Sequence, residues 1–342
     1  MTRASDKTPY VIGIGNAVMD IIAPTEEARL ADLGITKGIM QLVERERSEF
    51  LMAAQADDHS DRRLESRMVA GGSVANTLAG IGGLGLKTAF IGLVADDEIG
   101  RLYARQTEAA GTRFVNAPVA GSDLPSSRTI IFVTPDGERS MNTYLGISAE
   151  LGPEDVDPAV FVGAGWLFLE GYLFDKGKGK AAFLKAAECC HAAGGQAGIA
   201  LSDPFCVDRH RDDFRKLVAG PMDYVIGNVH EWQSLYQVED LEEALRLAVA
   251  DCRTVICTRS GEDAILIREG ERVSVPVQRV VPVDATGAGD QFAAGLIYGL
   301  ASGRSLSAAG RMGCIAASEV IGHVGARPEA DIMARFRAEG LV

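Results

Sequence analysis

The run "DATGAGD" (284–290) concentrates groups that could do chemistry, setting small residues with bare backbone between two carboxylates, Asp284 and Asp290. It follows the apolar stretch "RVVPV" (279–283), which reads as a strand, and precedes "FAAGLIYGL" (292–300), which reads as a helix. At a helix start the first amides have no carbonyl four residues back, and the aligned peptide dipoles leave that end positive. Thr286, Gly287, Ala288 and Gly289 would therefore offer consecutive N–H donors to an anion. A cap is the commoner reason to find Asp at such a place, but a cap needs no three small neighbours. If the donors hold a transferring phosphoryl group, Asp290 stands where a carboxylate accepts the proton of an attacking hydroxyl.

Other glycine-rich stretches do not carry phosphate chemistry. "GLGLKT" (83–88) has a Lys-Thr pair but no glycine before Lys87, so it is not a Walker A loop. "GIGGLG" (80–85) has dinucleotide-type spacing, yet it closes the helical "SVANTLAGIG" and leads into a strand, the reverse of the order a dinucleotide site needs. A helix terminus explains it better.

The elements that must position Asp290 follow from hydrophobic periodicity. Apolar runs of strand length recur at 10–15, 88–94, 165–171, 198–203, 223–228 and 254–260, with amphipathic helical patterns such as "LEEALRLAVADC" between many of them. This alternation predicts an α/β fold, a doubly wound, mainly parallel sheet flanked by helices. Two stretches break the rhythm, residues 18–46 and about 115–148, where short alternating segments surround a Pro-Asp-Gly turn. They predict a small β lid over the strand ends, where open α/β sheets bind ligands. No linker or repeat divides the chain, so residues 1–342 are expected to form one unit.

Bulk properties narrow the partners. The chain has 342 residues, 47% hydrophobic and 24% charged, which suits a globular protein rather than a disordered one. Its net charge of −13 repels nucleic acid and anionic lipid, though a local cationic pocket could still hold one small anion. The six cysteines include the adjacent pair Cys189–Cys190 but no C-x-x-C, so reduced thiols are expected. The N-terminus lacks a basic start followed by a long apolar run, and no stretch is long enough for a membrane span, so the cytoplasm is the expected compartment.

"DATGAGDQFAAG" resembles a signature of the ribokinase-like (PfkB) family of sugar and nucleoside kinases. "AGGSVANTLAGIGGLG" (70–85) is similar to the family's other signature, "NVHE" (228–231) to its N-x-x-E motif, and "GHVGARP" (322–328) to its C-terminal nucleotide-side segment. Four matches in family order span nearly the whole chain. The resemblance implies ATP and Mg2+ as cofactors, leaves a K+ requirement open, and implies Asp290 as catalytic base with the amides of Gly287, Ala288, Gly289 and Asp290 as the anion hole. It implies Asp20, Gly71, Gly72 and Asn76 as substrate-binding residues, and Asn228 and Glu231 as organisers of metal and phosphates, partly through water. Taken alone, N-x-x-E reads as a helix cap and Asp20 as a turn residue.

Arg139 matches a lid arginine that approaches the phosphates on closure, although a solvated hairpin charge is the plainer reading. Thr258 matches the start of a T-x-G nucleotide turn, but Ser260 replaces that glycine and Gly261 follows one place later. Ala285 also departs from the hydroxyl or proline usual after the first Asp of the signature. "GIGNAVMDII", "TPDGERSMNTYLG" and "EGYLF" are similar to adenosine-kinase members of the family, in which an aromatic ring at the place of Tyr172 lies against the purine. Core or rim packing is the general expectation for such a tyrosine. The substrate expectation is therefore adenosine, phosphorylated at its 5′-hydroxyl, with ribose, fructose or a related sugar as the alternative. A monomer and a homodimer paired through lid sheets are both compatible with the sequence.

Overall fold

Runs of Val, Ile, Leu and Phe become strands where both faces can be buried, and the intervening amphipathic runs become the helices that bury them. The computed structural model describes residues 10–57, 67–175 and 177–342. The part of the N-terminal targeting expectation that concerns residues 1–9 lies outside them. In chain order the strands are β1 (Tyr10–Ile14), β2 (Val18–Pro24), β3 (Met40–Leu42), β4 (Arg67–Gly71), β5 (Lys87–Ile91), β6 (Thr112–Phe114), β7 (Ser127–Val133), β8 (Arg139–Tyr144), β9 (Ala164–Glu170), β10 (Gln196–Ala200), β11 (Tyr224–Asn228), β12 (Thr254–Arg259), β13 (Glu262–Arg268) and β14 (Glu271–Val275).

The main sheet has nine strands in the order β14-β13-β12-β11-β10-β9-β1-β5-β6. Its strands from β6 through β12 are parallel, and β13 and β14 close one edge antiparallel. Alternation along β1 sends side chains to two cores. Ile12 and Ile14 join Leu167, Ile199 and Phe183 of the helix Gly177–Ala192. Val11 joins Phe168, Leu78 of the helix Ser73–Gly83 and Phe292 of the helix Ala288–Ala301. The expected doubly wound, mainly parallel α/β fold is borne out, and "GIGGLG" does close a helix, with Gly85 in the left-handed region (φ 97°) before β5.

One expected strand is absent. "RVVPV" (279–283) is irregular, with Val281 86% exposed. Pro282 has no N–H to give a ladder, and the amides of Val283 and Asp284 both turn to the Ile321 carbonyl (2.8 and 3.4 Å).

The second sheet has five strands, β3-β8-β7-β2-β4, and carries the expected hairpin of β7 and β8 around Pro135-Asp136-Gly137. Gly137 has φ 85°, which a glycine adopts without strain. Strand β4 lies beyond the 18–46 bound of the sequence reading. It pairs antiparallel with the edge of β2 that β7 leaves open and runs straight into Gly72.

Helix contact then sets the site. A Cβ on Gly80 would come 2.3 Å from Gln291 Oε1 and 2.8 Å from Ala294 Cβ, so only glycine lets Ser73–Gly83 and Ala288–Ala301 approach this closely. That approach brings the start of one helix against the start of the other. Among the described residues, no helix is long and apolar enough to cross a membrane.

Candidate active site

A cleft of about 1060 Å³ lies at the carboxyl ends of the parallel strands, beneath the five-stranded sheet. It is lined from the main sheet by Glu170, Ala200, Asn228 and Thr258, from the connection after β1 by Asn16, and from the lid by Asp20, Thr129, Met141 and Thr143. Gly72, Ser73, Asn76, Tyr172, Glu231, Gly287, Gly289 and Asp290 also face it.

Asp290 sits in the first turn of Ala288–Ala301. Ser73 Oγ donates to its Oδ1 (2.7 Å) and Asn76 Nδ2 to its Oδ2 (3.1 Å), so two donors fix the carboxylate from the neighbouring helix. Burial pushes its carboxyl up from the ordinary range, and those two bonds and the Arg327 charge pull it back. The N-cap, Gly287, has φ 79°, and a Cβ there would lie 2.5 Å from Ala326 Cα. Glycine is required on both counts.

The turn's amides alternate rather than all pointing outward as the sequence suggested. Thr286 N donates to Asp284 Oδ1 (3.0 Å) and Ala288 N to the Ala285 carbonyl (3.3 Å). Among the described residues, the amides of Gly287, Gly289 and Asp290 have no protein acceptor. Gly289 faces open space.

Asp20 lies on β2 above Gly71 and Gly72. A Cβ on Gly71 would stand 2.2 Å from Asp20 Oδ2, and one on Gly72 (φ 94°) 2.5 Å from the Asn16 carbonyl. Burial pushes the Asp20 carboxyl up to about 7 against the pull of Arg139 and Arg327, and the Asp290 charge adds to the rise.

Glu170 was not singled out from the sequence, yet it is a hub. At 2% exposure its Oε1 accepts from Asn16 N (2.6 Å) and Asn16 Nδ2 (3.1 Å), and its Oε2 from Val74 N (3.3 Å). Burial pushes it up to about 7 despite these donors. The signal was present as an acid closing the apolar strand "WLFLE".

Asn228 and Glu231 form a closed capping box. Asn228 Oδ1 accepts from Glu231 N (2.9 Å), while Asn228 N and Nδ2 donate to the two Glu231 oxygens (2.8 and 2.7 Å). Burial pushes Glu231 up to about 7, the Asn228 N–H bond opposes this, and the Asp203 charge adds to it. Thr258 faces the cleft, whereas Ser260 and Gly261 do not line it. Ser260 has φ 55°, so this turn asks for the left-handed backbone that glycine supplies elsewhere.

Arg139 reaches from β8 to the opposite wall. Its Nη2 pairs with Asp284 Oδ2 at 2.8 Å and its Nη1 donates to Thr286 Oγ1 (3.4 Å), so the lid is joined to the 284–290 turn. Asp284 also accepts Gly325 N (2.9 Å). Tyr172, 37% exposed, lies in a short 3-10 turn after β9, and its hydroxyl donates to the Ser202 carbonyl (3.1 Å). The phenol is pushed well above its ordinary range, chiefly by burial and then by the charge of Asp203. Phe205, Ile39, Met40, Leu42 and Leu145 complete an apolar sector of the cleft.

The family model described as pfkB family carbohydrate kinase matches residues 34–333. A probable sugar kinase from Rhizobium etli CFN 42 is similar in structure, with a TM-score of 0.87 and 41% identity, covering 98% of this chain and 99% of that one. Adenosine kinase from Sinorhizobium meliloti is similar with a TM-score of 0.86 and 40% identity, covering 97% of this chain and 100% of that one. In sequence, the 5-dehydro-2-deoxygluconokinase of Shouchella clausii is 26% identical over 260 residues, 73% of this chain and 80% of its own.

Proposed function

The chain belongs to the pfkB family of carbohydrate kinases, and from that membership we propose that it transfers the γ-phosphoryl group of ATP to the 5′-hydroxyl of adenosine, giving AMP and ADP in the cytoplasm. The observation that carries the substrate choice is the division of the cleft. A polar end with Asp20, Gly72, Asn76 and Asp290 adjoins a sector where Tyr172, Phe205, Met40 and Leu42 expose apolar or aromatic surface. A ribose suits the first and a flat base the second. The likeness to an adenosine kinase at 40% identity supports the same choice.

Each role follows from position. Asp20 accepts hydrogen bonds from ribose hydroxyls, Gly71 leaves room for its carboxylate, and Gly72 presents bare backbone to the cleft beside it. Asp290 accepts the 5′-hydroxyl proton as the oxygen bonds to the γ-phosphorus and the bond to the ADP bridging oxygen breaks. The amides of Gly287, Gly289 and Asp290, at a helix start, stabilise the charge on the phosphoryl oxygens. Magnesium bound with the nucleotide supplies positive charge across the phosphates. The residues fit an ion that arrives with those phosphates. Asn228 and Glu231 line the cleft, but their side-chain oxygens are engaged in their own cap, which suits contact through water. Closure of the lid, which Arg139 joins to the 284–290 turn, would exclude water, so that hydrolysis of ATP does not compete.

A sugar acceptor is the second reading, favoured by the kinship with a 5-dehydro-2-deoxygluconokinase. Phosphorylation with Mg-ATP across adenosine, guanosine, inosine, cytidine, ribose and fructose, with and without K+, separates the two. The adenosine reading requires the highest kcat/KM for adenosine; a higher value for a free sugar would replace it.

A further inference from the structure

We propose that Arg327, in the irregular segment between the helices Leu306–Val320 and Ile332–Ala338, is a positioning residue for phosphoryl transfer. Its guanidinium fixes the Asn76 amide, and through it the Asp290 carboxylate, while setting a positive charge beside the Asp20 and Asp290 pair. The inference rests on Asp290 acting as the base.

The geometry is a relay. Arg327 Nε donates to Asn76 Oδ1 (3.2 Å), and Asn76 Nδ2 donates to Asp290 Oδ2 (3.1 Å). A flipped Asn76 would set its NH2 against the guanidinium and its oxygen against the carboxylate, so Arg327 allows one orientation only. Arg327 Nη2 donates to the Ala70 carbonyl in β4, next to Gly71 and Gly72. One side chain thus fastens the substrate glycines, the helix carrying Asn76 and the base to one another.

The arginine is itself held from both sides. Gln291 Nε2 donates to the Ala326 carbonyl (3.0 Å) and also to the Asn76 carbonyl (3.1 Å), and Gly325 N donates to Asp284. Beyond it, the buried Glu319 accepts the amides of Glu329 (3.2 Å) and Ala330 (2.8 Å). The guanidinium is therefore placed by the fold and does not sweep through solvent.

Charge gives it a second effect. Among the described residues Arg327 forms no direct ion pair, yet its charge opposes the upward push of burial on both Asp20 and Asp290. The other ionisable groups coupled to this pair are Arg139 on the lid, Glu170 at the end of β9, Tyr172 beyond it, and Tyr103, whose hydroxyl donates to the Gly71 carbonyl (2.9 Å). Arg139 is committed to Asp284, and Glu170 is a carboxylate. Arg327 is thus the cation that acts on both acids without a carboxylate partner of its own. Without it, the upward push of burial on both carboxyl groups would go less opposed, and the acid limb of turnover would move to higher pH.

The test is the pH profile of kcat and kcat/KM for Arg327→Met, Arg327→Gln and Arg327→Lys, with Asp290→Asn as control. Arg327→Met should lower the alkaline plateau of kcat about tenfold to hundredfold and move the acid limb up by about one pH unit. Arg327→Gln keeps a donor for Asn76 without the charge, so it should recover much of the plateau and keep the displaced limb. Arg327→Lys should do the reverse. If Arg327→Met fails to fold, the Gln and Lys variants carry the test. Unchanged profiles in the folded variants would overturn the proposal. If Asp290→Asn itself keeps turnover, it is the base reading that fails; an inactive Asp290→Asn with an unaffected Arg327 series sinks this inference alone.

Discussion

Replacing Asp290 by Asn removes the proton acceptor and leaves the side-chain shape. The wild-type carboxylate takes one bond from Ser73 Oγ and one from Asn76 Nδ2. The amide that replaces it has one oxygen to accept with and one NH2 to donate from. Asn76 cannot turn to accept, because Arg327 holds its Oδ1, so the new amide oxygen must face Asn76 and the new NH2 must face Ser73. The Ser73 hydroxyl can rotate and accept, which keeps both contacts at a net cost of about 1 kcal/mol or less. Against that, the variant no longer ionises a carboxyl that burial disfavours. Folding stability at pH 8 should therefore hold or rise slightly. Losing a general base costs about 10²- to 10⁴-fold in kcat, or roughly 3–5 kcal/mol at 1.4 kcal/mol per decade. The assay pairs kcat for adenosine with binding of a nonhydrolysable ATP analogue and the melting temperature. Turnover within about tenfold of wild type in a folded, nucleotide-binding variant would refute the role given to Asp290.

Tyr172→Ala removes an aromatic wall worth about 1–2 kcal/mol to a stacked base, so KM for adenosine should rise about tenfold while transfer to ribose is little changed; equal effects on both acceptors would argue against stacking. Gly72→Ala puts a Cβ 2.5 Å from the Asn16 carbonyl at φ 94°, and should lower stability by about 1–3 kcal/mol, read by urea unfolding; an unchanged midpoint would show that this turn is not constrained as described. Asp20, Glu170 and Glu231 are pushed to about 7 by burial, whereas free carboxyl groups titrate near 4. Between those values the folded chain holds protons that the unfolded chain has released, so stability present at low pH is lost as pH rises through about 7. Glu170→Gln takes its share away, and the melting temperature of that variant should fall less from pH 5 to 8 than that of the wild type; parallel curves would place the Glu170 carboxyl in the ordinary range.

What the sequence determined by itself was the fold class, the family and a set of residues that face the cleft, among them Asp20, Gly72, Asn76, Asn228 and Asp290, because each has a local cause. Strand and helix periods are written into neighbouring residues, and the demand for glycine at Gly72 and Gly287 comes from backbone that no other residue adopts without strain. The N-x-x-E motif likewise carried its capping geometry in its spacing. The local signal misled at "RVVPV", where apolar residues suggested a strand but Pro282 and the Ile321 carbonyl claimed the backbone. It stopped short at β4, whose place in the lid depends on the edge that β2 leaves open. Tertiary structure alone decided which charges act on which. Glu170 binds Asn16, 154 residues away, Arg139 pairs with Asp284 across the cleft, and Arg327 reaches Asn76, 251 residues away. No periodicity encodes such meetings. The contacts of Ser73 and Asn76 with Asp290 likewise exist because Gly80 lets two helices close up, in a space where burial makes every charge answer to its neighbours.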